Sequence, residues 1–162
     1  MVSRLSLRAQ RWVLRRMDQV AERLGRLRGR PEHLLVGERG EREAMFYLRE
    51  QGYAVVARRW RTGRLRGDLD LIGWEEDALC FVEVKTRAER KELDPAEAAV
   101  DEEKRRMLRK MGDAYLRGFP EDERRKIRVR FDVLAVYLSG QTARGAFQPE
   151  FDLFRNAFDR FS

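Results

Sequence analysis

The residues best suited to chemistry in this chain are three acids and a lysine in two short apolar stretches. Asp68 and Asp70 lie in Gly67-Asp68-Leu69-Asp70-Leu71-Ile72, and Glu83 and Lys85 lie in Phe81-Val82-Glu83-Val84-Lys85. Both stretches have the aliphatic content of strands, and strand side chains alternate between faces. Asp68, Asp70 and Ile72 then share one face of the first, and Phe81, Glu83 and Lys85 share one face of the second. Leu69, Leu71, Cys80, Val82 and Val84 take the other face, where a helix can cover them. If Glu76-Asp77 closes a two-residue hairpin, Asp70 stands opposite Glu83 and Asp68 opposite Lys85, whereas an odd-numbered loop mixes the faces. Opposed Cβ atoms lie roughly 5 Å apart, where like charges repel. Three arrangements relieve that repulsion: a divalent cation between the acids, one acid that keeps its proton, or a solvated face whose charges pair weakly with Lys85. A cation held by Asp70 and Glu83 can polarise a phosphodiester and acidify a water. Lys85 can stabilise the developing negative charge. Glu41, near the start of a helix expected over 38–51, is a further candidate for the metal shell or for water activation. The alternative for Glu41 is an acid placed only to suit the helix dipole.

Composition narrows these options. The chain has 162 residues, 43% hydrophobic and 39% charged, which suggests one domain with a substantial core. No apolar run approaches the ~20 residues that cross a bilayer, so no transmembrane segment is expected. The basic N-terminus lacks the apolar stretch of a signal peptide, which makes a cytoplasmic location the expectation. With one cysteine, Cys80, and one histidine, His33, the chain can form neither an intrachain disulfide nor a thiolate–imidazole zinc centre. Cys80 reads as a small buried hydrophobe. Oxygen ligands remain, and they point to Mg2+ or Mn2+. The net charge of +7 is uneven: residues 1–36 hold nine arginines against Asp18, Glu22 and Glu32, a balance of +6. That excess suits contact with a polyanion.

The elements that must position these residues follow from periodicity and punctuation. Residues 1–36 read as a basic extension, with an amphipathic helix over 4–28 built on Leu5, Ala9, Val13, Met17, Val20, Leu24 and Leu27. Three roles fit that helix: packing on the domain or on a second copy in a homodimer, a nucleic-acid-binding arm carrying Arg11 and Arg15, or a membrane-surface helix. Residues 37–162 form the domain. A helix over 38–51 stops at Gly52, and strands follow at about 53–60, 65–74 and 78–86. Asp94-Pro95-Ala96-Glu97 is a helix start with N-cap and capping box, and that helix runs to about Leu116. A fourth strand covers 127–138. Phe151, Phe154, Phe158 and Phe161 form an aromatic tail that docks on the core. The first three strands should make an antiparallel meander, with the fourth parallel to the third through the helical crossover. The fold class is α/β, a central mixed sheet flanked by helices.

Several ordered motifs resemble a known family. Gly37-x-x-Gly40-Glu41-x-x-Ala44-x-x-Tyr47-Leu48-x-x-x-Gly52-Tyr53, Gly67-Asp68-Leu69-Asp70-Leu71-Ile72, Phe81-Val82-Glu83-Val84-Lys85-Thr86-Arg87, Lys104-Arg105, Arg130-Phe131-Asp132-Val133 and Asn156-Ala157-Phe158 resemble the YraN-like family of uncharacterised bacterial proteins. That family is similar to the restriction-endonuclease-like, PD-(D/E)XK, superfamily and to archaeal Holliday-junction resolvases. The resemblance implies a restriction-endonuclease-like core and a magnesium-dependent endonuclease site acting on nucleic acid, DNA above all. Branched or structured DNA follows only from the resolvase analogy. On this resemblance Asp70, Glu83 and Lys85 fall on the catalytic triad, with Glu41 as the helical acid. Thr86, Arg87, Lys104 and Asp132 gain interest, Arg87 and Lys104 as nucleic-acid contacts. For Lys104 an exposed helix cation is the plainer reading, and for Asp132 a structural hydrogen-bonding role. The chain departs from the family at Asp68, where Glu is usual, and at Arg59, where Asn is usual. A non-catalytic nucleic-acid-binding module, or an assembly protein acting through the first helix, are the alternatives.

Overall fold

A computed structural model of the chain describes residues 32–87, 100–138 and 148–161. The expected helix over 4–28, the Asp94 helix start, and the positions of Arg11 and Arg15 lie outside these residues. The described elements are α1 (Glu32–Glu50), β1 (Ala54–Trp60), β2 (Leu69–Glu75), β3 (Ala78–Arg87), α2 (Glu102–Leu116), a one-turn α3 (Glu121–Arg124), β4 (Arg128–Tyr137) and β5 (Glu150–Phe158). They form one mixed sheet in the order β1-β2-β3-β4-β5. The meander β1-β2-β3 is antiparallel, β4 is parallel to β3, and β5 is antiparallel to β4.

The central strands are apolar on both faces, as strands covered on both sides must be. On one face Ala44, Phe46 and Leu48 of α1 pack on Leu71, Ala78, Cys80, Val82, Leu134 and Val136. On the other, Leu108, Met111 and Leu116 of α2 pack on Ile72, Leu79, Phe81, Phe131 and Val133. Each such fully buried large side chain contributes about 1.5–3 kcal/mol. Cys80 is fully buried, and burial pushes its thiol up to about 12, so it behaves as the expected small hydrophobe. α1 ends where the sequence places its stop. Gly52 takes φ 100°, its N–H donates to the Arg49 carbonyl at 3.2 Å, and the Tyr53 N–H donates to the Leu48 carbonyl at 2.9 Å. This is a Schellman cap, which satisfies carbonyls the helix leaves open.

Several boundaries differ from the sequence reading. α1 begins at Glu32, inside the segment assigned to the extension, so Glu41 sits mid-helix and owes nothing to the helix dipole at a first turn. β2 begins at Leu69 rather than Leu65, which leaves Asp68 outside the strand. Leu69 packs with Ile72 and Phe81, not with Leu71. A helix running unbroken from residue 95 to 116 does not hold. Asp101 is extended, at ψ 168°, and its side chain accepts from the Lys104 N–H as the N-cap of α2.

The largest correction is β5. The aromatic tail is a fifth strand. Phe151 pairs with Val136 and Phe154 with Val133, and the register then shifts so that Phe158 pairs with Phe131. Phe151 stacks on Tyr47 of α1 at 4.3 Å, whereas Phe158 stacks on Phe131 at 5.0 Å on the α2 side. The register shift gave the aromatics an irregular spacing that masked a strand.

Candidate metal centre

The site is built on the β2–β3 hairpin, and its register is the one that face alternation demands. Leu71 pairs with Val82 and Ile72 with Phe81, and Glu75 and Ala78 flank the two-residue turn Glu76-Asp77. One step beyond Leu71–Val82, Asp70 stands opposite Glu83. The strands part there. The Asp70 carboxylate itself accepts the Val84 N–H at 2.8 Å, so it points across the gap toward β3 and is fixed by the backbone.

Glu83 is buried, with 4% of its side chain exposed. The solvated-face alternative therefore fails, because α2 covers this face. Lys85 Nζ and Lys104 Nζ each lie 3.1 Å from the same oxygen, Glu83 Oε1. Glu83 Oε2 is buried and has no hydrogen-bond partner. A buried carboxylate oxygen without a partner costs on the order of 1–3 kcal/mol, more for a charge, so a ligand that contacts it is favoured. Burial, followed by the charge on Glu83, raises Asp70 from 3.8 to about 7; Glu41 adds to the rise, while the Val84 N–H and Lys104 oppose it. Lys104 reaches the site because the first turn of α2 docks over β3. Sequence periodicity describes a helix face but not which neighbour it meets, so Lys104 read as a solvated cation.

Asp68 does not pair with Lys85. It takes Arg61 at 3.0 Å, and Lys85 turns to Glu83. Arg87 closes β3 on the parity of Glu83 and Lys85 and is half-buried. Glu41 is held near the site by a close approach of α1 to β3: a Cβ at Gly40 would lie 1.9 Å from Thr86 Oγ1. Its carboxylate is engaged by Arg59, Nε at 2.6 Å and Nη2 at 3.0 Å. Arg59 itself has φ 46°, a left-handed conformation that Asn tolerates far better than Arg. Arg59→Asn is therefore expected to change stability by less than about 1 kcal/mol, as relief of backbone strain offsets a partly exposed ion pair. A loss well above 2 kcal/mol in denaturant melts would reject this balance.

Asp132 belongs elsewhere. It is fully buried and accepts from Tyr53 Oη at 3.0 Å, from Arg130 Nε and Nη2 at 2.8 and 2.9 Å, and from the Asn156 N–H at 2.9 Å. Its parity places it on the α1 face with Tyr53, opposite to Glu83. The structural reading of Asp132 is the one this arrangement supports.

Among the described residues no three Asp, Glu, His or Cys side chains converge as a metal cluster. The donor set that fits a cation is two carboxylates, Asp70 and Glu83, one of them with a free oxygen. That suits Mg2+ or Mn2+, which keep several waters and bind through one or two carboxylates. No described helix is long and apolar enough to cross a membrane.

The profile of uncharacterised protein family UPF0102 matches residues 40–136, a span that includes Glu41, Asp70, Glu83, Lys85, Lys104 and Asp132. A UPF0102 protein of Koribacter versatilis is 44% identical over 79% of this chain and 82% of its own length. One of Solibacter usitatus is 40% identical over 86% of this chain and 96% of its own. One of Rhodococcus opacus is 40% identical over 78% of this chain and 98% of its own.

Proposed function

We propose, for a chain that belongs to the uncharacterised protein family UPF0102, a Mg2+- or Mn2+-dependent nuclease that hydrolyses phosphodiesters of nucleic acid, DNA first among them. The observation that carries the reading is the meeting of Asp70 and Glu83 at one register step, with Glu83 Oε2 unpartnered beside two lysines. Asp70 and Glu83 are the residues that would hold the cation. When bound, the cation supplies Lewis-acid polarisation of a phosphoryl oxygen and acidifies a water.

The chain's own groups do the rest. Lys85 and Lys104 neutralise Glu83 in the resting site, and either ammonium can turn to a phosphate oxygen as negative charge develops there. With two acids and two lysines the site has little charge of its own. A divalent cation and a phosphodiester therefore offset each other's charge when they enter together. Asp70, with its proton lost near neutral pH, gives the site a cation affinity that rises with pH. Glu41 joins the reaction as an acid or base only if it leaves Arg59. The structured-DNA substrate suggested by the resolvase analogy belongs to this proposal as its finer form.

One observation favours a second reading. Glu83 with its two lysines and Glu41 with Arg59 are ion-pair sets that stand without a metal, as a nucleic-acid-binding module with a vestigial site would keep them. End-labelled duplex, single-stranded, four-way-junction DNA and RNA, incubated with Mg2+ or Mn2+, separate the two. The wild-type protein is expected to cut at least one of these, and Glu83→Gln to cut it at least about a hundredfold more slowly. Equal cleavage by both proteins, or none by either, would sink the catalytic reading.

A further inference from the structure

A cavity of about 470 Å³ lies between the loop joining β1 to β2 and the outer face of α2, lined by Thr62, Arg64, Leu65, Lys110, Asp113, Ala114 and Arg117. Arg64, Lys110 and Arg117 are all exposed, and among the described residues no carboxylate pairs with any of them. The one acid in the lining, Asp113, is paired with Arg160 at 2.8 Å, so its charge is already countered. Three cations without acidic partners thus converge on one concave surface. Like charges gathered in a cleft repel unless an anion enters, and a cleft with low-dielectric walls strengthens the field on that anion.

The cavity and the candidate metal centre share α2, which supplies Lys110 and Arg117 to the one and Lys104 to the other. Lys110, Ala114 and Arg117 recur on α2 at spacings of four and three, and so share one face of the helix. Lys104, which pairs with Glu83, lies in the first turn of the same helix. At 1.5 Å per residue, Lys110 and Arg117 lie about 9 and 20 Å further along the axis. One strand of a duplex carries a phosphate about every 3.4 Å of its axis. Those axial distances correspond to about three to six phosphate spacings.

We infer that this cavity is a phosphate-binding cradle for the nucleic-acid backbone flanking the reacting phosphodiester. The inference rests on the nucleic-acid reading of the site, but it concerns binding rather than cleavage. Arg64 grips backbone phosphates from the loop side, and Lys110 and Arg117 from α2. Thr62 offers a hydroxyl to the same oxygens. Such contacts fix register without reading sequence.

The test is fluorescence anisotropy of a labelled 20-base-pair duplex with the full chain in Ca2+, across 50–200 mM NaCl. The proteins compared are wild type, Arg64→Gln/Lys110→Gln/Arg117→Gln, and a matched control Arg125→Gln/Lys126→Gln/Arg128→Gln. Each phosphate contact contributes about 0.9 to the slope of log affinity against log salt. The cradle variant is expected to lose about 2–3 from that slope and the control less than 1. An unchanged slope in the cradle variant, or equal losses in variant and control, would overturn the cradle. So would a wild-type chain that binds no duplex, which removes the nucleic-acid reading as well. Salt-dependent binding lost in the cradle variant, from a protein that cuts nothing, sustains the cradle and removes only the nuclease.

Discussion

Asp70→Asn is expected to raise the melting temperature by roughly 10 °C at pH 8 while abolishing the response of the protein to Mg2+. The folded state lifts Asp70 from 3.8 to about 7, through burial first and the Glu83 charge second. A group whose folded pKa is raised contributes stability that is fully present below its unfolded value and lost as pH rises through its folded value. For Asp70 that window runs from about 4 to about 7. At about 1.4 kcal/mol per pH unit, the full interval is worth on the order of 4 kcal/mol, and each kcal/mol moves a domain of this size by about 2–4 °C. Asn keeps an oxygen for the Val84 N–H and carries no charge to desolvate. Its advantage should therefore vanish near pH 4 and grow toward pH 8. Conversely, millimolar Mg2+ should stabilise the wild type at pH 8 and leave Asp70→Asn unmoved, since a ligand stabilises only the state that binds it. Scanning calorimetry of both proteins at pH 4, 6 and 8, with and without Mg2+, reads the outcome. A difference independent of pH would show that Asp70 does not titrate as described. Equal Mg2+ shifts would remove it from the cation.

Asp132→Ala should cost about 3–5 kcal/mol and leave the chemistry of folded molecules intact. Asp132 accepts four hydrogen bonds from three elements: Tyr53 ahead of β1, Arg130 on its own strand, and the Asn156 backbone of β5. Removing it leaves Arg130, only 12% exposed, with Glu75 as its remaining carboxylate, and orphans a backbone donor. Breaking one side of a buried charge pair costs several kcal/mol. The loss should appear in urea melts, whereas nucleic-acid affinity per folded molecule should hold, because Asp132 and Glu83 lie on opposite faces of the sheet. A variant as stable as wild type but deficient in binding would place Asp132 in the functional site instead.

These residues also show what a sequence can and cannot yield. The Asp70–Glu83 register was legible because the β2–β3 hairpin is local and its apolar residues leave one self-consistent pairing. Gly52 as the end of α1 and the antiparallel meander followed from equally local signals and short links, and the parallel β4 from the helical crossover between β3 and β4. What required the third dimension was contact between distant segments. Lys104 is separated from Glu83 by a segment whose path the sequence does not specify, so its ion pair was invisible. Glu41 and Arg59 looked like independent charges until α1 was laid across β1. β5 was hidden because its register shift, with Asn156 at φ 53°, breaks the alternation that identifies strands.

The two outer strands have a consequence for assembly. β1 and β5 are the edges of the sheet, and each is interrupted by an irregularity, between Val55 and Ala57 in β1 and opposite Phe131–Val133 in β5. Each also presents arginine along its length, Arg58 and Arg59 on one and Arg155 on the other. Kinked, cationic edges are poor templates for an incoming strand. The sheet is thus guarded at both margins against extension into a neighbouring molecule, which protects a strand-rich domain from aggregation in a crowded solution. Joining of two sheets edge to edge is disfavoured at either margin.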